Sequence, residues 1–522
     1  MQTRVDRNAP LFFALFALCV VLSLNVSAVN AADYELAFST YLGGKNWEHA
    51  RDICVDQAGN VYVVGGTVSD DFPTTEQAFQ RKQDKTGDKV SSGGYCDAFV
   101  CKFSPEGRLL WSTLLGGPNY DRAYAVEVGV DGSVYVAERG GPGFPVTEGA
   151  FQTTFQGAKQ SIYGMQNGFV VKLKPDGSDL DWAAYVGTNW LCRDLAIDET
   201  GDVYLPLDFI GSGPMPPASW FGSAYQKQPS GGAEVGALKV AGDGKSVLWA
   251  TWFGGSKDEV ANCGIRVDPE KNVFLNFTTD SPDVPTTDGA HDRTHHGKHD
   301  AFIAKLSPDG RKLIYGTYFG GSGEEEGNST HNLAVDSSGN AYLATSTTSH
   351  DLPVTRGAFQ AKHAGGERDV VVAKFSPAGA LIGCTYIGGT ANDGIDGVDS
   401  DDQGNVFFTG STSSRDFPTT DGALQAELSV PDDAILVVLS ADFAQLNFST
   451  LMGGSNYDSG RCGCLDQQGN LYVSGSVNGP GWPLKNAYQP QFAGGGGGQE
   501  LCYKGGCYAG DVIIAKFQKR SE

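Results

Sequence analysis

The chain has 522 residues, 71 of them Gly, with 11% aromatic and 19% charged residues and a formal net charge of −23. The aromatic share excludes a disordered chain, and the glycine-rich, charge-poor mix points to an all-β protein with many tight turns. A negative charge of this size excludes nucleic acid and anionic lipid as main partners.

The chain opens on a targeting pattern. Arg4 and Arg7 precede an apolar run over 11–24, and small residues follow as far as Ala31. This order predicts a signal peptide over 1–31 and an exported protein, placed outside the cell, in the periplasm or at the cell surface. The run is short for a bilayer span, so an uncleaved anchor is the alternative reading, and no later segment is apolar enough to cross a membrane. Export permits disulfides among the remaining cysteines.

Residues 32–522 read as one unit repeated seven times. A glycine closes each STYL-like stretch, at Gly43, Gly116, Gly187, Gly254, Gly320, Gly388 and Gly453, 65 to 73 residues apart. A fixed period of this kind belongs to propellers and solenoids. In the repeat over 313–375, "LIYGTYFGG", "NLAVDSSGNAYLATS" and "DVVVAKFSPAG" carry four strand signals bounded by Gly, Asn, Asp and Pro turns. Four short antiparallel strands repeated seven times predict a single seven-bladed β-propeller, with repeats beginning near 36, 109, 180, 247, 313, 380 and 446. The first "STYLGG" strand has no "DAFVAKF" strand before it, and the last such strand, 510–517, has no "STYLGG" strand after it. Residues 36–42 are therefore expected beside 511–517, closing the ring inside the last blade.

These motifs resemble the bacterial seven-bladed β-propeller repeats called SBBP repeats. The matching stretches are "STYLGG" (39–44), "GNVYVVGG" (59–66), "DFPTTEQAFQ" (71–80) and "DAFVCKFSPEG" (97–107), and the likeness runs over roughly 36–517. The resemblance implies the fold and no particular reaction. Blade 3 departs most, since "AAYVGTNW" has lost the second glycine.

By analogy with other propellers, the "AVD" strand lies innermost and "STYLGG" outermost. The short turns then share one face, and the long segments between second and third strands share the other, where function normally sits. Three features fall on that long-loop face. Acids follow the paired glycines (Glu48, Asp121, Glu259, Glu325, Asp393 and Asp458), either as backbone caps or as a cation-gathering ring. "HDRTHHGKHD" carries His291, His295, His296 and His299, a density that suits Zn²⁺ or a similar metal, with a solvated polar loop as the alternative. "LCYKGGCY" sets Cys502 and Cys507 for a local disulfide, while Cys96 competes as a partner from blade 1.

Alternation along the innermost strands puts Ile53, Val55 and their equivalents between blades. It sends Asp52, Cys54, Glu127, Asp194, Arg266, Asn332, Asp399, Cys462 and Cys464 into the central channel. Cys54 and Cys464 share one repeat position in neighbouring blades and are expected as buried small side chains rather than a bridge. The recurring "AKF" lysines (Lys102, Lys172, Lys305, Lys374, Lys516) read as structural ion-pair members. Propeller enzymes such as lactonases hold Ca²⁺ at the channel mouth; Asp52, Asp194 and Asn332 are oxygen donors of that type, which makes Ca²⁺ the cofactor the channel admits. No Ser–His–Asp set or phosphate-binding loop stands out. The expected function is a non-enzymatic binding or scaffold role, with a monomer taking a protein or glycan ligand on its long-loop face. The alternatives are a Ca²⁺-assisted hydrolase or lyase at the channel mouth and a structural component of the cell surface.

Overall fold

The computed structural model describes residues 34–87, 95–160, 163–188, 190–209, 215–326, 331–429, 431–494, 502–503, 506–507 and 510–520. The signal peptide expected over 1–31 lies outside them. Seven antiparallel sheets of four principal strands form the blades of a β-propeller. In blade 1 the order from the axis outward is Glu48–Val55, Val61–Thr67, Asp97–Phe103 and Leu109–Leu115. The other blades repeat this order, with two variations. Blade 2 adds Ala158–Gln160 beside Gly164–Leu173, and blade 3 splits its inner strand into Trp190–Leu191 and Ala196–Ile197. Blade 3 is also where the repeat pattern is weakest.

A blade is too thin to own a core, so each buries both faces against its neighbours. Third strands such as "DAFVCKF" are consequently apolar on both sides and buried almost throughout. Seven apolar clusters result, one at each blade-to-blade interface. The interface of blades 7 and 1 joins Phe38, Leu42, Val512 and Ile514 to Ile53, Val63 and Phe99.

Ring closure follows the expected pairing. Tyr34–Leu42 lies antiparallel to Asp511–Lys519, with Ser39 opposite Ala515 and Leu42 opposite Val512. Blade 7 thus runs Asp458–Leu465, Leu471–Val477, Asp511–Lys519, Tyr34–Leu42, three strands from one end of the chain and one from the other. Trp482 locks the seam by donating its indole N–H to Ser39 Oγ (2.8 Å).

The repeated polar residues are architectural. In the turn "VDQAGN", Asp56 accepts the backbone N–H groups of Ala58 and Asn60 (both 2.9 Å) and the Tyr62 hydroxyl (3.1 Å). Gly59 supplies the left-handed backbone at φ 79°. Lys102 lies 4.9 Å from the Tyr62 ring centre and 3.8 Å from Asp56, and Lys305 reaches Asp268 at 2.9 Å. The acid after the paired glycines caps the crossing between blades. Gly44 N–H donates to Glu48 (3.0 Å), Gly321 N–H to Glu325 (2.9 Å) and Gly389 N–H to Asp393 (2.7 Å). Thr67 and Thr347 hydroxyls donate to the second oxygens of Glu48 and Glu325.

The long segments behave differently from the expectation that they project from one face. Each starts at the long-loop end and then drapes the outer strand of its own blade. In blade 1, Thr75 N–H donates to Ser112 O (3.0 Å) and Leu114 N–H to Gln80 O (2.9 Å). The aromatic of "AFQ" then crosses to the next blade, where Phe79 N–H donates to Gly177 O (3.0 Å) in a short turn of blade 2. Phe151 reaches Gly244, Tyr225 reaches Gly310 and Phe359 reaches Phe443 in the same way (2.9, 3.0 and 2.7 Å). These straps use the exposed edge of each outer strand, the group that otherwise invites aggregation.

Two outcomes follow. Deleting 36–42 removes the partner of Asp511–Lys519, and amide exchange over 511–517 is expected to accelerate to that of an unprotected edge; unchanged protection there would rule out the clasp. Burial, the largest influence on each, pushes Glu48 and Asp121 up to about 8, Glu259 and Asp458 to about 7, and Asp393 to about 6. Carboxyls raised above their unfolded values near ~4 hold protons in the fold and release them on unfolding. Their stabilisation is complete below the unfolded value and is lost as pH rises through 6 to 8. The melting temperature is therefore expected to fall between about pH 5 and pH 8, as scanning calorimetry would read directly.

Candidate functional site

The inner strands of the seven blades surround a channel whose side chains form three levels. At the short-turn end stand Cys54, Glu127, Arg266, Asp399 and Cys464, all partly exposed. Burial pushes Glu127 up to about 8 despite the opposing Arg266 charge. Cys54 and Cys464 carry free thiols.

The middle level is closed. Asp52, Asp194, His331, Asn332 and Cys462 are all buried. His331 of blade 5 reaches across the axis and donates from Nε2 to the Tyr124 carbonyl of blade 2 (3.0 Å), while its Nδ1 lies 3.6 Å from Asp194 and 3.9 Å from Asp52. The carboxylates act as clasps between blades. Asp52 accepts the N–H of its neighbour Ile53 and that of Val126 in blade 2 (both 2.8 Å). Asp194 does the same with Leu195 and Ile265 (both 2.9 Å), and Asp399 with Ser400 and Leu465 (2.8 and 2.9 Å). Arg266 adds an ion pair to Asp194 at 2.7 Å. The Cys462 thiol donates to Asp52 (2.9 Å), tying blade 7 to blade 1.

Asp52, His331 and Cys462 bring an oxygen, a nitrogen and a sulfur within 4.8 Å of one another. That donor set does not fit Ca²⁺, which takes six to eight oxygens. The expected trio Asp52, Asp194 and Asn332 is buried in this level, where Asp52 and Asp194 each accept two backbone N–H groups. The thiols of Cys54, Cys462 and Cys464 are all held well above their ordinary range, first by burial and then by nearby carboxylates. A thiol kept protonated is a poor nucleophile.

The long-loop end carries what the sequence reading missed. Arg51 and His49 of blade 1, Arg122, Tyr124 and Arg139 of blade 2, Arg193 of blade 3 and Arg461 of blade 7 converge there. The Arg51 guanidinium lies 4.1 Å from the Tyr124 ring centre, that of Arg122 4.5 Å, and those of Arg139 and Arg193 5.8 Å. Arg122 donates to the Tyr124 hydroxyl. Glu138 binds Arg139 (2.7 Å) and approaches Arg193 (3.8 Å), and Asp396 binds Arg461 (3.0 Å). Arg51 and Arg122 have Nε atoms without a hydrogen-bond partner, and no carboxylate among the described residues pairs with either. Burial, with Arg122 and Arg461 adding to it, pulls Arg51 down to about 9. His49 is likewise driven well below its usual value by burial and by these cations.

Strict alternation places Arg51 with Ile53, between blades. A register shift between Ala50 and Asp52 inserts one extra residue and turns Arg51 toward the axis. The same irregularity recurs at Ala123/Ala125, Ile395/Gly397 and Gly460/Cys462. A signal was present: Arg51, Arg193 and Arg461 each sit one residue before Asp52, Asp194 and Cys462. A cation at an apolar phase in three repeats is the mark of a bulge.

The histidine segment does not converge. His291 occupies the "AFQ" aromatic position of its strap, donates its N–H to Gly379 O (3.1 Å) and packs its ring near Phe319 and Phe375. His295 meets Thr279 O at 3.2 Å, His296 meets Asp292 at 2.9 Å, and His299 pairs with Asp280. Four separate partners replace the expected metal site. Cys96 is a buried free thiol packed with Trp47, Val68 and Tyr120, which corrects its reading as a disulfide partner. Cys502 and Cys507 stand directly opposite in a two-stranded ladder, Cys502–Tyr503 with Gly506–Cys507.

No protein-family model and no curated protein matches the chain. Solved structures share its outline. A protein of unknown function from Dyadobacter fermentans is 11% identical, with 94% of this chain and 100% of that one covered at a TM-score of 0.40. The RRP9 WD40 repeats are 9% identical (93% and 100% covered, TM-score 0.42), and BamB from Moraxella catarrhalis is 8% identical (93% and 99%, TM-score 0.34). At these identities and TM-scores the likeness carries no argument about this chain.

Burial raises the Tyr124 phenol, but Arg122 and Arg51 outweigh it and bring the group down to about 8. Ultraviolet titration is expected to show one tyrosine ionising near that pH, absent in Tyr124→Phe and moved upward in Arg51→Gln.

Proposed function

We propose that the chain is an exported, non-enzymatic SBBP-type propeller that binds a protein or glycan ligand on its long-loop face. The observation that carries this reading is the asymmetry of the channel. The middle level is buried, the short-turn end holds Asp399 and Arg266 in contacts between blades, and the long-loop end holds Arg51 and Arg122, with which no carboxylate among the described residues pairs. Charge held without a counter-ion in a part-buried site is costly to the fold and is characteristic of binding sites. A shallow depression of about 530 Å³ at the seam of blades 7 and 1, lined by Gly43, Asp71, Tyr488 and Phe492, adds aromatic and polar surface. The N-terminal pattern over 1–31 supports export, and among the described residues no helix is long and apolar enough to cross a membrane.

The test uses glycan and peptide arrays. A polyethylene glycol chain is attached through a bio-orthogonal residue at Lys45, on the long-loop face, or at Val130, 82% exposed in a short turn of blade 2. Array binding is expected to be lost with the first and kept with the second. Equal binding by both conjugates would sink the assignment of the face.

A further inference from the structure

The arginines at the long-loop end do not balance internally. Glu138 serves Arg139 and Arg193, and Asp396 serves Arg461. Arg51 and Arg122 share the Tyr124 ring and hydroxyl as neighbour without a carboxylate at ion-pair distance; Arg122, only 3% exposed, also lies near the Tyr120 and Tyr163 rings (5.7 and 5.6 Å) and within the field of Glu138. A buried guanidinium without a directly paired anion is costly, and an anion delivered from outside relieves that cost. The cluster is reachable, because Arg51, His49, Arg193 and Arg461 all retain partial exposure at the channel mouth.

We propose that this vestibule is a binding site for a carboxylate group presented by the ligand, gripped by Arg51 and Arg122 beside the Tyr124 ring. The planar guanidinium fork matches a carboxylate in a two-bond arrangement that a lysine does not reproduce. The ligand's charge is limited by the rest of the molecule. A surface carrying a formal −23 repels each additional negative group, so one carboxylate on an otherwise neutral ligand satisfies the fork at least electrostatic cost. Neutral His49 does not compete for the anion, and its imidazole remains a hydrogen-bonding wall of the site. The Tyr124 hydroxyl acts as the resident partner of Arg122 and gives way when the carboxylate arrives. The inference rests on the long-loop reading for the direction of entry, and the chemistry of the site stands on its own contacts.

Calorimetry and the Tyr124 ultraviolet titration test the site with acetate, with glucuronate and with a neutral-bodied dipeptide ending in a free carboxylate, using glucose as the uncharged control. All three carboxylates are expected to bind and to raise the Tyr124 midpoint, because a bound anion neutralises the cations that depress it. Glucose is expected to do neither. The tightest of the three probes identifies the source of the carboxylate as free acid, acidic sugar or peptide terminus. Arg51→Gln is expected to weaken binding about tenfold or more, and Arg51→Lys, which keeps charge without the fork, to fall between. Melting temperature verifies that both variants are folded. If none of the carboxylates binds or moves the Tyr124 midpoint in the unaltered protein, the proposal is overturned. The array experiment scores whole ligands and faces, so its result stands or falls separately.

Discussion

The pairing of Tyr34–Leu42 with Asp511–Lys519 is the contact on which the rest of the molecule depends. Each blade has two apolar faces and no core of its own, so it is stable only between two neighbours. In an open row the first and last blades would each expose one face. Closure removes both ends at once and builds the blade 7–blade 1 cluster around Phe38, Ile53 and Ile514. It also makes a central channel, where residues from all seven blades meet, from Asp52 of blade 1 to Arg266 of blade 4, Asp396 of blade 6 and Arg461 of blade 7.

Most of the repeated polar chemistry serves that closed ring. The capping acids hold the crossings, the turn aspartates hold the hairpins, and the channel aspartates clasp one blade's inner strand to the next. The straps add a circumferential link at the outer edge, as when Phe79 reaches Gly177. A propeller fastened at both its hub and its rim leaves few irregular positions. The arginine cluster stands out against this background because Arg51 and Arg122 within it have no carboxylate paired to them among the described residues.

Much of the fold was legible because it is written in periods. The glycine interval counted the blades, and the unmatched first and last strands implied the clasp. The aspartate and glycine of "VDxxGN" announced a tight turn whose chemistry is local. The candidate site was less legible, for identifiable reasons. Period-two alternation gives Asp52 and Cys54 one phase and does not single out Arg51, since one inserted residue between Ala50 and Asp52 reverses the phase of everything before it. His291 looked like part of a ligand cluster, yet it replaces a packing aromatic in a strap, which is apparent once Ala290-His291-Asp292 is set beside Ala78-Phe79-Gln80.

What the sequence determined by itself is whatever depends on neighbours within one repeat: strand number, turn type and the count of blades. These rest on short-range sterics and hydrogen bonding, which repeat whenever the residues do. What only the tertiary structure decided is whatever depends on opposite sides of the ring. His331 meeting Tyr124 from three blades away, Cys462 meeting Asp52, and Arg51 facing Arg122 and Arg461 are contacts between residues tens to hundreds of positions apart. Their distances are set by the diameter of the closed ring and by bulges that aim single side chains, and neither quantity has a period to read.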